Sequence, residues 1–252
     1  MILYFSATGN GKYIAEQIAA ATDEKYISIT ECIRGDKYSF RNEKIVGIVT
    51  PTYFWRLPGI VARYLEKLRL ENCGYVFFLA SYGTTTGLAG SMAKEIMARN
   101  GQVFDACYSV IMPDTWTPVF DLTNKKRVAR WLNDGKEQLT CVTGRIQRKE
   151  KGDYIDRKLP RLIARLPSAY MYIAKRKTKK LSADKDLCIG CGLCAEKCPV
   201  GAIQMENNRP VWKLEECEMC LGCLHRCPKF AISYGNGKTS RHGQYRNPYT
   251  QI

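Results

Sequence analysis

The chain has 252 residues, 45% hydrophobic and 25% charged, with 20 glycines and 10 prolines spread along it; this suffices for a sizeable core and excludes disordered, collagen-like and low-complexity classes, leaving one or two globular domains. The formal charge is +15, and the longest nearly apolar runs, such as Tyr75 to Ala80, fall far short of the ~20 residues that a bilayer span needs. Met1 is followed by Ile-Leu-Tyr-Phe and not by a basic leader, so no export or membrane-spanning segment is expected and the cytoplasm is the expected compartment.

Met1 to Phe5 is the first predicted strand, followed by a Gly-rich turn and a helical pattern with Ile14, Ala15, Ile18 and Ala19 on one face. Further strands are predicted at Tyr26 to Ile29, Ile45 to Val49, Tyr75 to Ala80 and Val103 to Met112, with helices near 58–69, 87–99 and 121–143. Strands alternating with helices imply a doubly wound α/β fold, a five-stranded parallel sheet covered on both faces. Ligands of such sheets sit at the carboxyl ends of the strands, where strand order reverses.

Three loops at those ends carry chemistry. Ser6-Ala7-Thr8-Gly9-Asn10-Gly11-Lys12 opens the first helix with hydroxyls, two glycines and backbone amides, a natural phosphate cradle at the positive end of a helix dipole. Thr50 to Pro58 holds the consecutive aromatics Tyr53, Phe54 and Trp55, preceded by Pro51 and Thr52; the third loop runs Ser81-Tyr82-Gly83-Thr84-Thr85-Thr86-Gly87. Singly, each reads equally well as a turn or a core lid. On one rim they describe a site for a flat phosphorylated ring.

These residues resemble the flavodoxin family, whose phosphate loop reads T/S-x-T-G-x-T/S: Ser6, Thr8, Gly9 and Asn10 match, and Gly11 stands where a hydroxyl residue is usual. The resemblance covers residues 1–145 and implies FMN, its phosphate held at Ser6, Thr8, Gly9, Asn10, Gly11 and Lys12. It further implies that Pro51, Thr52, Tyr53, Phe54 and Trp55 flank one side of the ring, with Trp55 or else Tyr53 stacked on it. Ser81, Tyr82, Gly83 and Gly87 would meet the other face or the polar edge. After the last strand, Met112-Pro113-Asp114-Thr115-Trp116 either caps the sheet or places Trp116 between the flavin region and the second domain.

Residues 145–180 carry 13 basic and 3 acidic side chains, so +10 of the +15 lies in 36 residues. The stretch reads as a basic interdomain linker, 146–180. Leu159, Leu162, Ile163, Leu166, Tyr170, Tyr172 and Ile173, interleaved with Arg161, Arg165 and Lys175, would also suit docking of an acidic, low-potential redox protein, donor or acceptor; an anionic lipid is a further reading. Pro160 and Pro167 are expected to break it into short pieces. No nucleic-acid-binding pattern accompanies the charge.

Eight of the 12 cysteines fall between Cys188 and Cys227, while Cys32, Cys73, Cys107 and Cys141 are isolated, which points to metal ligation in a reducing compartment. Cys188-x-x-Cys191-x-x-Cys194-x-x-x-Cys198-Pro199 recurs 29 residues later as Cys217-x-x-Cys220-x-x-Cys223-x-x-x-Cys227-Pro228. Three thiolates two residues apart wrap one cubane, and the fourth, before proline, reaches the other cluster. One 4Fe-4S cluster is therefore assigned to Cys188, Cys191, Cys194 and Cys227, the other to Cys217, Cys220, Cys223 and Cys198; zinc has no need of the third cysteine. His225 is read as surface or as lying behind the ligands, and Val211 to Leu214 as a short strand. The pattern resembles a bacterial-type two-cluster ferredoxin, a small α+β domain over 181–235, followed by a tail, 236–252, that is mobile or draped on a neighbour.

The whole chain resembles the flavodoxin-ferredoxin fusion proteins of anaerobic prokaryotes. The resemblance implies an electron carrier that joins one-electron clusters to a flavin able to take one or two, working with a redox partner. The alternative is an enzyme whose FMN reduces a small molecule such as a quinone, nitroaromatic, corrinoid or unsaturated metabolite, with Tyr53, Tyr82 or Asp114 as proton donors. A scaffold using its clusters structurally is a third reading. No NAD(P)H-binding segment is recognisable.

Overall fold

The computed structural model describes residues 1–235 and 238–252. In chain order the elements are β1 (Ile2–Tyr4), α1 (Asn10–Thr22), β2 (Tyr26–Ser28), α2 (Ile29–Arg34), β3 (Ser39–Arg41), β4 (Val46–Pro51), α3 (Gly59–Lys67), β5 (Arg69–Glu71), β6 (Val76–Tyr82), α4 (Ala89–Arg99), β7 (Ala106–Ile111), α5 (Lys125–Gln147), β8 (Gly152–Tyr154) and α6 (Arg161–Lys175). The C-terminal part continues with β9 (Leu181–Ala183), α7 (Leu193–Glu196), β10 (Ile203–Glu206), β11 (Arg209–Trp212), α8 (Gly222–Arg226), β12 (Ile232–Tyr234) and α9 (Lys238–His242).

The main sheet runs β2-β1-β4-β6-β7-β8, all neighbours parallel. Every residue of β6 is buried, as a strand covered on both faces requires. The period-two alternation divides the core. Phe77 and Leu79 face α1 and α5, packing with Ile14, Ile18, Leu132 and Leu139, while Phe78 and Ala80 face α3 and α4 with Ile60, Tyr64, Ile96 and Met97.

The sheet has six strands where five were expected. The sixth, β8, comes from the segment read as a linker and pairs Ala106 with Gly152 and Tyr108 with Tyr154. Three residues with no apolar run give alternation nothing to register; the strand is held by its edge, where Tyr154 stacks on Tyr108 at 5.4 Å and 8° and Ile155 enters the core. The prolines do not fragment the segment either. Pro160 is the N-cap of α6, and the helix runs 15 residues through Pro167. The carbonyl that Pro167 cannot bond belongs to Ile163, which is exposed, so water takes it. A side pair, β3 with β5, and the short helix α2 were also not anticipated.

In the C-terminal part β9 pairs with β12 and β10 with β11, both antiparallel, around a small core of Leu181, Met219, Leu221, Leu224, Ile232 and Tyr234. The β10–β11 turn uses Asn207 and Asn208, both at positive φ, as a two-residue hairpin demands. Among the described residues no helix is long and apolar enough to cross a membrane.

Candidate functional site

Strand order reverses between β1 and β4, and there a cavity of about 460 Å³ opens at the carboxyl ends of the strands. Four loops supply its walls: Ser6, Ala7, Thr8, Asn10 and Gly11 after β1; Pro51 to Trp55 after β4; Ser81 to Thr85 around the end of β6; and Met112 to Trp116 after β7. Gly9 caps α1 at φ 97°, and a Cβ there would stand 2.8 Å from the Asn247 Cβ, so both backbone and space call for glycine. Ser6 Oγ accepts from the Gly9 amide at 3.1 Å, which fixes the loop.

The aromatic loop is a tight turn: Tyr53 N–H donates to Arg56 O at 3.0 Å and Arg56 N–H to Tyr53 O at 2.9 Å. Its two central residues, Phe54 and Trp55, sit at φ 51° and 64°, strained for bulky side chains. Gly87, at φ 54°, backs the turn; a Cβ there would lie 2.4 Å from Trp55 O. Strain of this kind presents both rings to the cavity. Asp114 lies against Gly83, accepts from the Trp116 amide at 3.1 Å, and burial raises its carboxyl to about 6.

In the C-terminal part the eight clustered cysteines divide into two small cavities. Cys188, Cys191, Cys194 and Cys227 line one; Cys198, Cys217, Cys220 and Cys223 line the other. The 29-residue repeat is visible in the backbone, since Ala202 N–H donates to Cys198 Sγ at 3.2 Å and Ala231 N–H to Cys227 Sγ at 3.3 Å. Burial pushes the thiols of Cys217 to about 11 and Cys220 to about 12. None of the cysteines is in a disulfide. Among the described residues, no three His, Cys, Asp or Glu side chains gather tightly enough for a single metal ion.

The two parts meet at the large cavity, whose walls include Met219 and Cys220; both residues also line the second cysteine cavity. Trp116 packs edge-on to Phe54 at 5.0 Å and to Tyr234 at 5.2 Å, a row of rings across the junction. His225 is buried there and not at the surface. Its Nδ1 accepts from the Tyr245 amide at 3.2 Å, so Nε2 carries the hydrogen and donates to Thr115 O at 2.9 Å. Burial lowers its pKa to about 4, consistent with a neutral ring. The C-terminal segment crosses back: Gln244 Nε2 donates to the carbonyls of Leu224 and Cys227, Asn247 N–H to Thr8 O at 2.8 Å, and the Tyr245 hydroxyl to Asn10 Oδ1 at 2.7 Å. It is draped over the loop of residues 6–12; Asn236 and Gly237 lie outside the described residues.

A family model described as a flavodoxin domain matches residues 1–140. The chain belongs to the flavodoxin-domain family. A second model, a 4Fe-4S dicluster domain, matches residues 180–228, so the flavodoxin domain is fused to a dicluster ferredoxin domain. A ferredoxin of Pyrobaculum islandicum is 34% identical over 77 residues, 28% of this chain and 70% of that protein. An uncharacterised ferredoxin of Methanocaldococcus jannaschii is 37% identical over 57 residues, 21% of this chain and 74% of that protein. Among solved structures, the Trp repressor binding protein of Bacillus subtilis aligns with 60% of this chain and 98% of its own at 13% identity and a TM-score of 0.37.

Within the flavodoxin domain, Ser6, Thr8, Asn10, Gly11, Pro51, Thr52, Tyr53, Phe54, Trp55, Ser81, Tyr82 and Gly83 all line the cavity. Gly9, Lys12 and Gly87 do not. The two glycines shape the loops behind it, and Lys12 Nζ is turned away to Gln251 O at 2.7 Å. The cavity also takes residues the sequence did not place there: Met171, Val119, Phe120 and Met219, together with Lys175, read only as part of the basic stretch, and Cys220, read only as a cluster ligand. The Met112–Trp116 loop was signalled by its position after a strand; these further residues reach the cavity through long-range packing.

Proposed function

We propose that the chain moves electrons internally between two 4Fe-4S clusters and FMN, coupling one-electron to two-electron transfer and exchanging electrons with a redox protein partner. The observation that carries this reading is the shared wall: Met219 and Cys220 belong at once to the large cavity and to a cavity ringed by four cysteines. Each cluster would supply single electrons, and the flavin one or two.

The residues present fit both groups. Thr52 Oγ1 is buried on the large cavity without a hydrogen-bond partner, as a polar atom awaiting a ligand would be. The cradle at the start of α1 would hold the phosphate through the amides of Thr8 to Gly11, beside Ser6. Trp55 or Tyr53, with Phe54, Pro51 and Thr52, would flank one side of the ring, and Ser81, Tyr82 and Gly83 the other. Cys198, Cys217, Cys220 and Cys223 would bind the cluster near the flavin; Cys188, Cys191, Cys194 and Cys227 would bind the distal one. All-thiolate sets suit iron-sulfur chemistry, and because burial keeps several of these thiols protonated, loading must release protons.

Asp114 favours a second reading, an enzyme reducing a small molecule. Its half-buried carboxyl lines the cavity and, at about 6, is poised to hold or give a proton near neutral pH. Anaerobic reconstitution with iron, sulfide and FMN tests both. We expect one flavin and about eight irons per chain, flavin and cluster bands bleaching together on reductive titration, and reoxidation by redox proteins. Rapid turnover with a small acceptor would favour the enzyme. Cluster reduction that never reaches the flavin would overturn the proposal.

A further inference from the structure

Helix α6 packs on the molecule by one face. Ala164 and Ser168 are buried, Met171 and Lys175 line the large cavity, and Arg56 reaches Ser168 Oγ at 3.4 Å. The opposite face carries Leu162, Ile163, Leu166, Tyr170 and Ile173, exposed by 97, 73, 78, 75 and 60%. At about 100° per residue these form a single stripe roughly 100° wide. They are five of the twelve exposed large apolar side chains among the described residues, gathered on one helix.

The charge beside the stripe has one sign. From Arg157 to Ala183 there are nine basic residues and no acidic one. Lys158, Arg161, Arg176 and Lys177 are neutralised by Asp153, Glu95 and Glu216. Arg157, Arg165, Lys179 and Lys180 are exposed and make no ion pair among the described residues.

We propose that α6 docks the protein on an anionic lipid surface, its apolar stripe entering the acyl boundary and its flanking cations meeting the headgroup phosphates. An exposed apolar stripe flanked by unpaired cations, on a helix whose other face is anchored to the protein, is suited to an interfacial site. Two other occupants fit less well. A protein partner would need a groove shaped to a convex helix with five projecting side chains, whereas a bilayer needs no complementary shape. A second copy of this chain would bring the same cations face to face. Because the inner face of α6 walls the large cavity, the docked lipid would lie about one helix diameter, ~10 Å, from it.

Flotation of the full chain with vesicles tests this without any cofactor. Binding is expected to vesicles of phosphatidylcholine with phosphatidylglycerol, weakening as salt rises, and not to phosphatidylcholine alone. The surface variant Leu162→Ser, Leu166→Ser, Ile173→Ser is expected to lower the partition coefficient roughly tenfold or more, with an unchanged circular dichroism spectrum. Arg165→Glu with Lys179→Glu and Lys180→Glu is expected to abolish anionic selectivity. The proposal is overturned if the wild type ignores anionic vesicles at low salt or if binding survives the serine variant. It is equally overturned if sedimentation shows a dimer that the serine variant dissolves, or if the stripe captures an acidic redox protein while vesicles are ignored.

Discussion

At residue scale, Asp114 is the one acidic side chain among the residues that line the cavity. Its carboxyl rises from 3.8 to about 6 because burial disfavours the charged form. A raised acid contributes stability below its unfolded value, and that contribution is lost as pH climbs through about 6. Asp114→Asn keeps an acceptor for the Trp116 amide and removes the buried charge. It should leave stability unchanged near pH 4 and raise it by roughly 1–3 kcal/mol near pH 8, as thermal denaturation at the two pH values would show; equal effects at both would contradict the assignment. In the loaded protein the flavin potential should bend with pH near 6 in the wild type and not in the variant. Trp116 belongs to the same scale. Its ring bridges Phe54 and Tyr234, so Trp116→Ala should alter the flavin spectrum or potential and slow internal transfer. If all three are untouched, the ring is only packing.

At the scale of elements, the Tyr53–Arg56 turn exchanges stability for presentation. Two-residue turns with both φ positive favour Asn-Gly, and here Phe54 and Trp55 occupy those positions. Replacing them by Asn and Gly should stabilise the flavin-free protein by about 1–2 kcal/mol, seen as a higher urea midpoint, while abolishing the quenching of flavin fluorescence. A variant both less stable and still quenching would refute the idea that strain serves the site. Helix α3 meets the loop between Cys217 and Cys220 through Glu218, whose fully buried carboxylate lies 3.0 Å from Arg63 and 3.8 Å from Arg176. Arg63→Gln strips the nearer partner from a buried charge and should cost roughly 2–4 kcal/mol, measured as a lower midpoint of the first unfolding step.

Legibility in the sequence divides along the same scales. Cysteine spacing is a local property: the x-x and x-x-x intervals suggest two sets of four, and each set lines one cavity. The strands β4, β6 and β7 announce themselves as apolar runs, and the loops at their ends follow. The edge strand β8 does not, because it buries one ring against Tyr108 and carries no alternation. Helix α6 was obscured by Pro167, a residue harmful to a buried helix and cheap in an exposed turn. Nothing local joins Tyr245 to Asn10, 235 positions apart, or turns Lys12 away from the cavity toward Gln251.

At the scale of the whole molecule, the C-terminal segment ties the loop of residues 6–12 to the dicluster domain. Its bonds from Gln244 to Leu224 and Cys227, and from Asn247 to Thr8, hold the cavity's two builders together. Deleting residues 243–252 should weaken flavin binding tenfold or more, since several buried hydrogen bonds to the loop are lost at ~1 kcal/mol each; fluorescence titration of the full and shortened chains measures it, and equal affinities would show the strap to be idle. The dicluster domain has a small core, so iron should contribute to its folding, and chelation should unfold it before the flavodoxin domain. The central claim is that these two domains form one electron path. Rapid photoreduction of the clusters in the fully loaded protein, followed at the flavin band, tests it most directly. The account predicts first-order flavin reduction whose rate does not change with protein concentration. A rate rising in proportion to concentration, or a flavin left oxidised beside reduced clusters, would contradict it.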